Sequence, residues 1–234
     1  MIISPKLLGL IELLPTGVVR VFAIKFLSRL IDKHAKIHLS GTENLKGAKG
    51  PFLFIGNHLS NSDGIILWKV MKEWDPTFVA GVKLKGDALT YLGTIAVKNT
   101  TIIPNTADKE GISNIIKLLK SGENIVMFPE GTRSRVGSMI KAKRGLNLIV
   151  KLSKATVVPI GMYGSEKLLP IGKDSDMNNE TFHKSDVYIK IGKPFEMAKR
   201  NKDEGRKEYE ERAADEAMKR IAELLPEEYR GVYK

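Results

Sequence analysis

A histidine and an aspartate five residues apart, His58 and Asp63, are the pair in this sequence best suited to acid–base chemistry. On a regular helix that spacing would place the two side chains roughly 140° apart around the axis, so they could not touch. If His58 lies in a loop after a strand and Asp63 in the first turn of the next helix, the carboxylate can hold one imidazole nitrogen. The other nitrogen is then free to take a proton, as a general base must.

His38 and Glu43 have the same spacing, so the pattern alone identifies no site. Residues 36–40 are predicted to form a strand and residues 41–44 a turn, with no helix start beside the histidine. We therefore interpret His38 as structural. A lone histidine is more often structural than catalytic, and His58 is favoured because a second polar motif follows further along the chain.

Residues 128–134, which read Phe-Pro-Glu-Gly-Thr-Arg-Ser, form that second motif. They leave a predicted strand at 125–128, where amide groups and the hydroxyls of Thr132 and Ser134 can point at an anion. Gly131 allows the chain to approach such a ligand closely, and Arg133 can form two hydrogen bonds with one phosphate. The alternative is an ordinary turn with an exposed arginine.

The segments around these motifs predict an α/β fold. Short apolar runs predict strands at 36–40, 52–56, 78–82, 94–98, 125–128, 157–160 and 187–192. Amphipathic stretches predict helices at 63–74, 83–92, 107–120, 146–154 and 202–225. This alternation predicts a mixed, mostly parallel sheet covered by helices on both faces. The strand at 94–98 would deliver Lys98 to its end, and residues 172–184 are predicted to be a surface loop.

Residues 1–34 are richer in apolar side chains than the rest of the chain and are predicted to form a helical hairpin broken at Pro15. Either the hairpin anchors the protein in the headgroup region of an anionic membrane, or it covers one side of the core. Both interpretations are open, and they can hold for different faces. Residues 35–234 form the α/β domain, and a peripheral or monotopic position on the cytoplasmic face of a membrane is expected.

Composition narrows the choice of partners. The 234 residues include 38 Lys and Arg and 27 Asp and Glu, and the net charge of +11 favours polyanionic partners. Nucleic acid is disfavoured because the positive charge is spread along the chain without a reading helix or a stacking motif. The chain has no cysteine, which excludes disulfides and thiolate nucleophiles. No uncharged apolar run reaches the roughly 18 residues of a spanning helix.

Together, the two motifs resemble conserved blocks of the glycerophospholipid acyltransferases, the family of 1-acylglycerol-3-phosphate acyltransferases. Residues 57–63 are similar to the family's N-H-x-S-x-x-D block, and residues 128–134 to its F-P-E-G-T-R-S block. Residues 93–98 resemble the block between them, and residues 157–160 resemble the proline block that follows. The middle block usually ends in arginine, whereas this chain has Lys98, which keeps the charge but loses the planar grip on phosphate.

The resemblance implies acyl transfer from a thioester, carried by coenzyme A or acyl carrier protein, to a hydroxyl of a lysophospholipid. His58 would be the general base and Asp63 would orient its ring, with no cofactor, metal or acyl-enzyme needed. The acceptor would be bound by residues of the middle block and the second motif, with Glu130 shaping the loop or meeting the glycerol hydroxyls. These substrate-binding candidates are Lys98, Glu130, Gly131, Thr132, Arg133 and Ser134.

Two alternative functions remain open. One is the same chemistry on another lysolipid, which is suggested by Lys98 in place of the usual arginine. The other is a non-catalytic module that holds anionic lipid. Lys141, Lys143 and Arg144 form a basic run that either binds the donor's phosphates or an acidic carrier, or is simply solvated. A serine nucleophile is disfavoured because no G-x-S-x-G motif is present and Ser60 is too close to His58 in sequence.

Overall fold

The computed structural model describes residues 14–82, 88–103, 106, 108–172 and 180–234, and at residues 88 and 89 it describes the backbone alone. Seven strands form one sheet in the order β1-β7-β6-β2-β5-β3-β4. They are β1 (Ala35–Ser40), β2 (Phe52–Gly56), β3 (Thr77–Gly81), β4 (Asn99–Ile102), β5 (Ile125–Met127), β6 (Thr156–Tyr163) and β7 (Ser185–Ile191). Neighbouring strands are parallel except β6 and β7, which are antiparallel. The predicted mixed, mostly parallel sheet is confirmed.

Helices cover both faces of this sheet. They are α1 (Thr16–His34), α2 (Asp63–Val70), α3 (Ala88–Ala96), α4 (Lys109–Lys120), α5 (Leu146–Ser153), α6 (Ser165–Leu168) and α7 (Arg206–Ala222). Short 3₁₀ turns lie at Thr42–Leu45, Lys72–Trp74, Glu227–Tyr229 and Gly231–Tyr233. Among the described residues, and apart from residues 83–98, the predicted strands and helices agree with these bounds to within a few residues. Most of the predicted surface loop at 172–184 lies outside the described residues.

The central strand β2 shows why two helical layers are needed. All five of its residues are buried, and its side chains alternate between the two faces of the sheet. Phe52 and Phe54 join the core cluster that contains residues of α1, α2 and α3. Leu53 and Ile55 join the cluster that contains residues of α4, α5 and α7. An apolar run without polar alternation is typical of a parallel strand with helices on both sides.

The predicted strand at residues 94–98 is wrong. Residues up to Ala96 belong to helix α3, and β4 starts only at Asn99. β-branched residues such as Ile95 favour a strand, but Leu92 and Ala96 lie one helical turn apart and are 0% and 1% exposed. Burial of that stripe in the core cluster shared with α1 outweighs the local propensity. Residues 83–87 of the predicted helix at 83–92 lie outside the described residues.

Helix α1 is the second arm of the predicted hairpin, and it follows directly after Pro15. The first arm, residues 1–13, lies outside the described residues. One face of α1 is buried in the core through Val19, Ala23, Leu27 and Ile31. The core-covering interpretation therefore describes this face. None of the described helices is long and apolar enough to span a bilayer.

Candidate active site

Two loops that leave neighbouring parallel strands define the site. Strand β2 ends at Gly56 and β5 at Met127, and Ile55 pairs with Met127. Loops that follow the carboxyl ends of adjacent parallel strands meet at one edge of the sheet. The first loop, residues 57–62, contains His58, and the second, residues 128–134, contains Arg133. The topology thus brings the two sequence motifs side by side.

Asn57 fixes the start of the first loop. Its side-chain amide donates to the Met162 carbonyl at 2.7 Å, and its side-chain oxygen accepts from the Met162 N–H at 2.8 Å. These two bonds extend the pairing of β2 with β6 by one step beyond the backbone ladder. Asn57 is 1% exposed, so water does not compete for this contact. The chain therefore leaves β2 in a defined direction just before His58.

His58 and Asp63 have the contact that their spacing suggested. The Nδ1 of His58 lies 2.8 Å from Oδ2 of Asp63, in the first turn of α2. Because the carboxylate accepts, Nδ1 carries the hydrogen and the neutral ring has its lone pair on Nε2. No described residue hydrogen-bonds Nε2, and the His58 side chain is 20% exposed toward a cavity. The geometry fits a general base, and its catalytic role stays a prediction.

Asp63 is itself tightly held. Its Oδ2 also accepts from the backbone N–H of Leu59 at 2.7 Å and of Ser60 at 2.9 Å, and the side chain is 0% exposed. The other oxygen, Oδ1, has no hydrogen-bond partner among the described residues. Three donors on one oxygen fix the carboxylate relative to the His58 ring, because any rotation would break several of these bonds.

A phenylalanine from the second loop supports the other side of the imidazole. The rings of His58 and Phe128 are stacked, with centroids 4.2 Å apart and planes 13° apart. Stacking restricts rotation about the side-chain bonds, and it shields one face of the ring from water. His58 is thus held by an acid at one edge and by an aromatic ring on one face.

Glu130 ties the two loops together from below the surface. Its side chain accepts hydrogen bonds from the His58 N–H at 3.2 Å and from the Ile140 N–H at 3.3 Å. The residue is 0% exposed, and burial raises its pKa from 4.5 to about 8. Of its two predicted roles, Glu130 has the loop-shaping one, and it does not line the cavity.

The cavity beside His58 has a volume of about 460 Å³. Its polar wall includes Gly131, Thr132 and Arg133, the three second-motif residues predicted to meet an anion. Gly131 has φ +68°, a left-handed conformation that glycine adopts without strain, and an added Cβ would lie 3.0 Å from Cγ of Lys143. Lys143 also lines the cavity. The structure brings these four residues and His58 to one space.

The rest of the cavity wall is mostly apolar. It is formed by side chains from both faces of the sheet, among them Ile65, Ile102, Ile112 and Ile149. A space of this size with a few polar groups at one end suits a ligand that has a charged head and a long apolar part.

The predicted placement of Lys98 at this site is wrong. Lys98 precedes the first residue of β4, at the amino edge of the sheet, whereas the two loops leave the carboxyl edge. A five-residue strand such as β2 is about 15 Å long, which is the distance between the amino and carboxyl edges of the sheet. The Lys98 ammonium lies 2.9 Å from Glu123 and 3.7 Å from Asp75 instead. The error follows from the misassigned strand, because the true strand begins where the predicted one was to end.

Ser134 was predicted to bind substrate, and the structure assigns it a different contact. It is 2% exposed and absent from the cavity wall. Its backbone N–H donates to the His58 carbonyl at 2.8 Å, and its hydroxyl accepts from the Val136 N–H at 3.3 Å. Ser134 therefore holds the two loops together, and the prediction of a substrate contact is wrong.

The basic run is divided by the structure. Lys143 and Arg144 line the cavity, while Lys141 is exposed and does not. Arg144 is paired with Glu211 of α7. Lys143 has no ion-pair partner among the described residues. Lys143 is therefore a candidate for binding an anion in the cavity, whereas the sequence left open whether it was simply a solvated surface lysine.

The serines beside His58 are not exposed to the cavity. Ser60 and Ser62 are both 0% exposed, and their hydroxyls lie 3.0 Å apart. The Ser60 hydroxyl donates to the Leu169 carbonyl at 2.9 Å. Neither hydroxyl contacts His58, in agreement with the absence of a nucleophile motif in the sequence.

His38 has the structural setting expected for it. It lies in β1, its Nε2 is 2.6 Å from Asp186 of β7, and its ring stacks on Tyr188. Its partner is therefore a neighbouring-strand aspartate rather than Glu43. Phe128 and Glu180 are the contacts of the site that sequence reasoning did not identify. Phe128 stood within the second motif, whereas Glu180 gave no local signal.

The structure has a histidine–aspartate pair at the carboxyl edge of a mostly parallel α/β sheet, and comparison with known proteins identifies the class of protein. The family model described as Acyltransferase matches residues 36–163, just over half of the chain. The chain therefore belongs to the acyltransferase family. Both loops, 57–62 and 128–134, lie inside the matched segment.

Particular relatives narrow the comparison further. The chain is 28% identical over 167 residues to the chloroplastic 1-acyl-sn-glycerol-3-phosphate acyltransferase LPAT1 of Arabidopsis thaliana, which covers 70% of this chain and 45% of that protein. It is 27% identical over 180 residues to the 1-acyl-sn-glycerol-3-phosphate acyltransferase of Bacillus subtilis, and the alignment covers 76% of this chain and 82% of that protein. The chain thus spans about half the length of the plant relatives that it matches.

A solved structure has the same fold. The crystal structure of the 1-acyl-sn-glycerophosphate acyltransferase PlsC from Thermotoga maritima superposes with a TM-score of 0.61, over 89% of this chain and 79% of that one. The two sequences are 20% identical, so this likeness supports the fold alone.

Proposed function

We propose that this chain transfers a fatty acyl group from a thioester to the free hydroxyl of 1-acylglycerol 3-phosphate, giving phosphatidic acid. The observation that carries the proposal is the His58–Asp63 pair, with the free Nε2 facing a cavity that also displays Thr132, Arg133 and Lys143. The names of the relatives support the same acceptor. Lys98, the motive for another acceptor, lies at the opposite edge of the sheet.

His58 acts as the general base. Its Nε2 accepts the proton of the acceptor hydroxyl while that oxygen forms a bond to the thioester carbonyl carbon. The carbon–sulfur bond then breaks, and the imidazolium returns the proton to the leaving thiolate. Asp63 keeps the ring in the tautomer that leaves Nε2 unprotonated, and its charge stabilises the imidazolium that forms.

The acceptor's phosphate binds at the polar wall of the cavity. Arg133 and Lys143 supply positive charge, and the Thr132 hydroxyl and the backbone at Gly131 supply hydrogen bonds. Arg133 has five N–H donors, and one of them binds Glu180. The others have no hydrogen-bond partner among the described residues, and phosphate is the ligand proposed for them. The apolar side chains of the cavity accommodate an acyl chain.

Peripheral binding to the cytoplasmic face of an anionic membrane is part of the proposal. Helix α1 exposes Val18 at 53%, Val21 at 54% and Phe22 at 42%, and Arg20 and Lys25 are exposed on the same helix. Apolar and basic side chains together suit the headgroup region of anionic lipid. Val21→Glu should weaken cosedimentation with vesicles that contain phosphatidylglycerol, and binding equal to wild type would remove this part of the proposal.

The test of the function is the product. Purified protein is given a mixed pool of lysolipids with both acyl-CoA and acyl carrier protein thioesters, and the lipids formed are identified by mass spectrometry. Phosphatidic acid as the main product supports the proposal, and the consumed donor identifies the carrier. Another lipid formed at least about tenfold faster would assign a different acceptor. Thioester loss equal in wild type and His58→Ala would favour a lipid-binding module.

A further inference from the structure

Glu180 is a buried charged residue that the family match does not include. It is 2% exposed and lies after the matched segment, which ends at residue 163. Its Oε1 accepts from Nη1 of Arg133 at 2.8 Å, and its Oε2 accepts from Nδ2 of Asn61 at 2.7 Å. One carboxylate therefore joins a side chain from each of the two loops that form the site.

This contact is well shielded from water. The Arg133 side chain is 19% exposed and that of Glu180 is 1% exposed, so solvent screening of the pair is weak. Burying a carboxylate is unfavourable unless charge and hydrogen bonds compensate for the lost water, and here each oxygen has a donor. Loss of either bond would leave a buried oxygen without a partner among the described residues. Arg133 is thus restricted to one orientation on the cavity wall.

Both partners of Glu180 face the reacting region. Asn61 and Arg133 line the same cavity as His58. A guanidinium that is held by one N–H presents its remaining N–H groups in a fixed direction, which is what recognition of a phosphate requires. Without Glu180, Arg133 would have several rotamers of similar energy, and binding an anion would have to order it.

We propose that Glu180 is a positioning residue for the acceptor: it holds Arg133 in the orientation that binds the acceptor's phosphate. This inference rests on the proposed acyl transfer to a lysophospholipid. Glu180 does not touch the reacting atoms, so it acts on acceptor binding and not on the chemical step. Its removal should raise the KM for the acceptor and leave kcat and the KM for the thioester nearly unchanged.

The main test is Glu180→Gln, which keeps the size of the side chain. Its amide oxygen can accept from only one of the two donors, and its NH₂ group faces the other. We expect the acceptor KM to rise roughly tenfold, with kcat within about threefold of wild type. Added to Arg133→Ala, Glu180→Gln should cause no further rise, because the group that it orients is gone. An additive rise would contradict the proposal.

Glu204→Gln is the matched control. Glu204 is 8% exposed and pairs with Arg212 at 2.7 Å, away from the cavity. It should lower the melting temperature without changing the acceptor KM. If Glu180→Gln does not fold, Glu180→Asp is measured instead, because it keeps the charge with a shorter reach and should raise the KM in the same direction. An unchanged or lower KM in the folded variant would overturn the proposal.

A binding measurement separates this inference from the proposed function. Glycerol 3-phosphate is titrated into wild type, Glu180→Gln and Glu204→Gln, and protection against thermal unfolding is followed. We expect Glu180→Gln to need roughly ten times more ligand than the other two proteins. Equal protection in all three would overturn the role of Glu180. If wild type is protected and Glu180→Gln needs more ligand, but wild type acylates no lysophospholipid, the proposed function fails while the role of Glu180 in positioning Arg133 for a phosphate stands.

Discussion

Replacing Asp63 with asparagine tests the proposed catalytic role of the His58–Asp63 pair with the smallest possible change. In the folded protein, Oδ2 accepts from two backbone N–H groups as well as from Nδ1 of His58. The variant's amide oxygen should occupy the same place, because an NH₂ group there would face three donors. The His58 tautomer is then preserved, and what is lost is the negative charge that stabilises the imidazolium.

The size of the effect follows from the geometry. Two unit charges about 4 Å apart attract by about 4 kcal/mol at an effective dielectric constant of about 20. The amide retains a neutral hydrogen bond of about 1 kcal/mol, so the net loss in the transition state is about 2–3 kcal/mol. Since about 1.4 kcal/mol corresponds to a factor of ten, kcat should fall about 30- to 150-fold. The acceptor KM should change little, because Asp63 is 0% exposed and cannot contact substrate.

The assay is steady-state acyl transfer from a thioester to 1-acylglycerol 3-phosphate, with thiol release followed in parallel. Asp186→Asn is the matched control, because Asp186 pairs with His38 at 2.6 Å outside the cavity, and this variant should keep wild-type kcat. Asp63→Asn combined with His58→Ala should be no slower than His58→Ala alone. A folded Asp63→Asn enzyme with kcat within about threefold of wild type would refute the reasoning.

Glu130, Gly131 and Lys98 give separate tests. Because burial raises the Glu130 pKa from 4.5 to about 8, the folded state keeps a proton that the unfolded state releases between these values. The free energy of unfolding of wild type, measured in urea, should therefore fall as pH rises from 4.5 through 8, and that of Glu130→Gln should fall less. Parallel pH curves for the two proteins would contradict this. Gly131 has φ +68°, and an added Cβ would lie 3.0 Å from Cγ of Lys143, so Gly131→Ala should raise the acceptor KM several-fold. An unchanged KM would count against the proposed phosphate site. Lys98→Met should leave the acceptor KM within about twofold and cost at most about 1 kcal/mol of stability, whereas a tenfold rise in KM would restore its predicted role.

The fold was predictable because its signals are local. Strands such as β2 are fully apolar and bounded by polar turns, and helices such as α4 have a clear apolar stripe. The exception is residues 94–98, where β-branched side chains favour a strand and tertiary burial of Leu92 and Ala96 favours a helix. Contacts with α1 favour the helix, and the sequence pattern of residues 94–98 carries no information about those contacts.

The site was predictable only in part for a related reason. Motif spacing singled out His58, Asp63, Gly131, Thr132 and Arg133, and the structure places them close together because the loops follow strands that the pattern also predicts. It could not tell which polar residues turn inward: Glu130 and Ser134 are buried and bind backbone groups of the opposite loop. Glu180 meets Arg133 across 47 residues, and nothing in its own surroundings indicates that contact.

The most direct test of the central claim is single-turnover acyl transfer by wild type and His58→Ala, with phosphatidic acid and free thiol both quantified. A general base with a free Nε2 predicts equal amounts of the two products in wild type. It predicts a rate about 10²- to 10⁴-fold lower in the folded variant, with acceptor binding retained. A His58→Ala protein that forms phosphatidic acid at the wild-type rate would contradict the account.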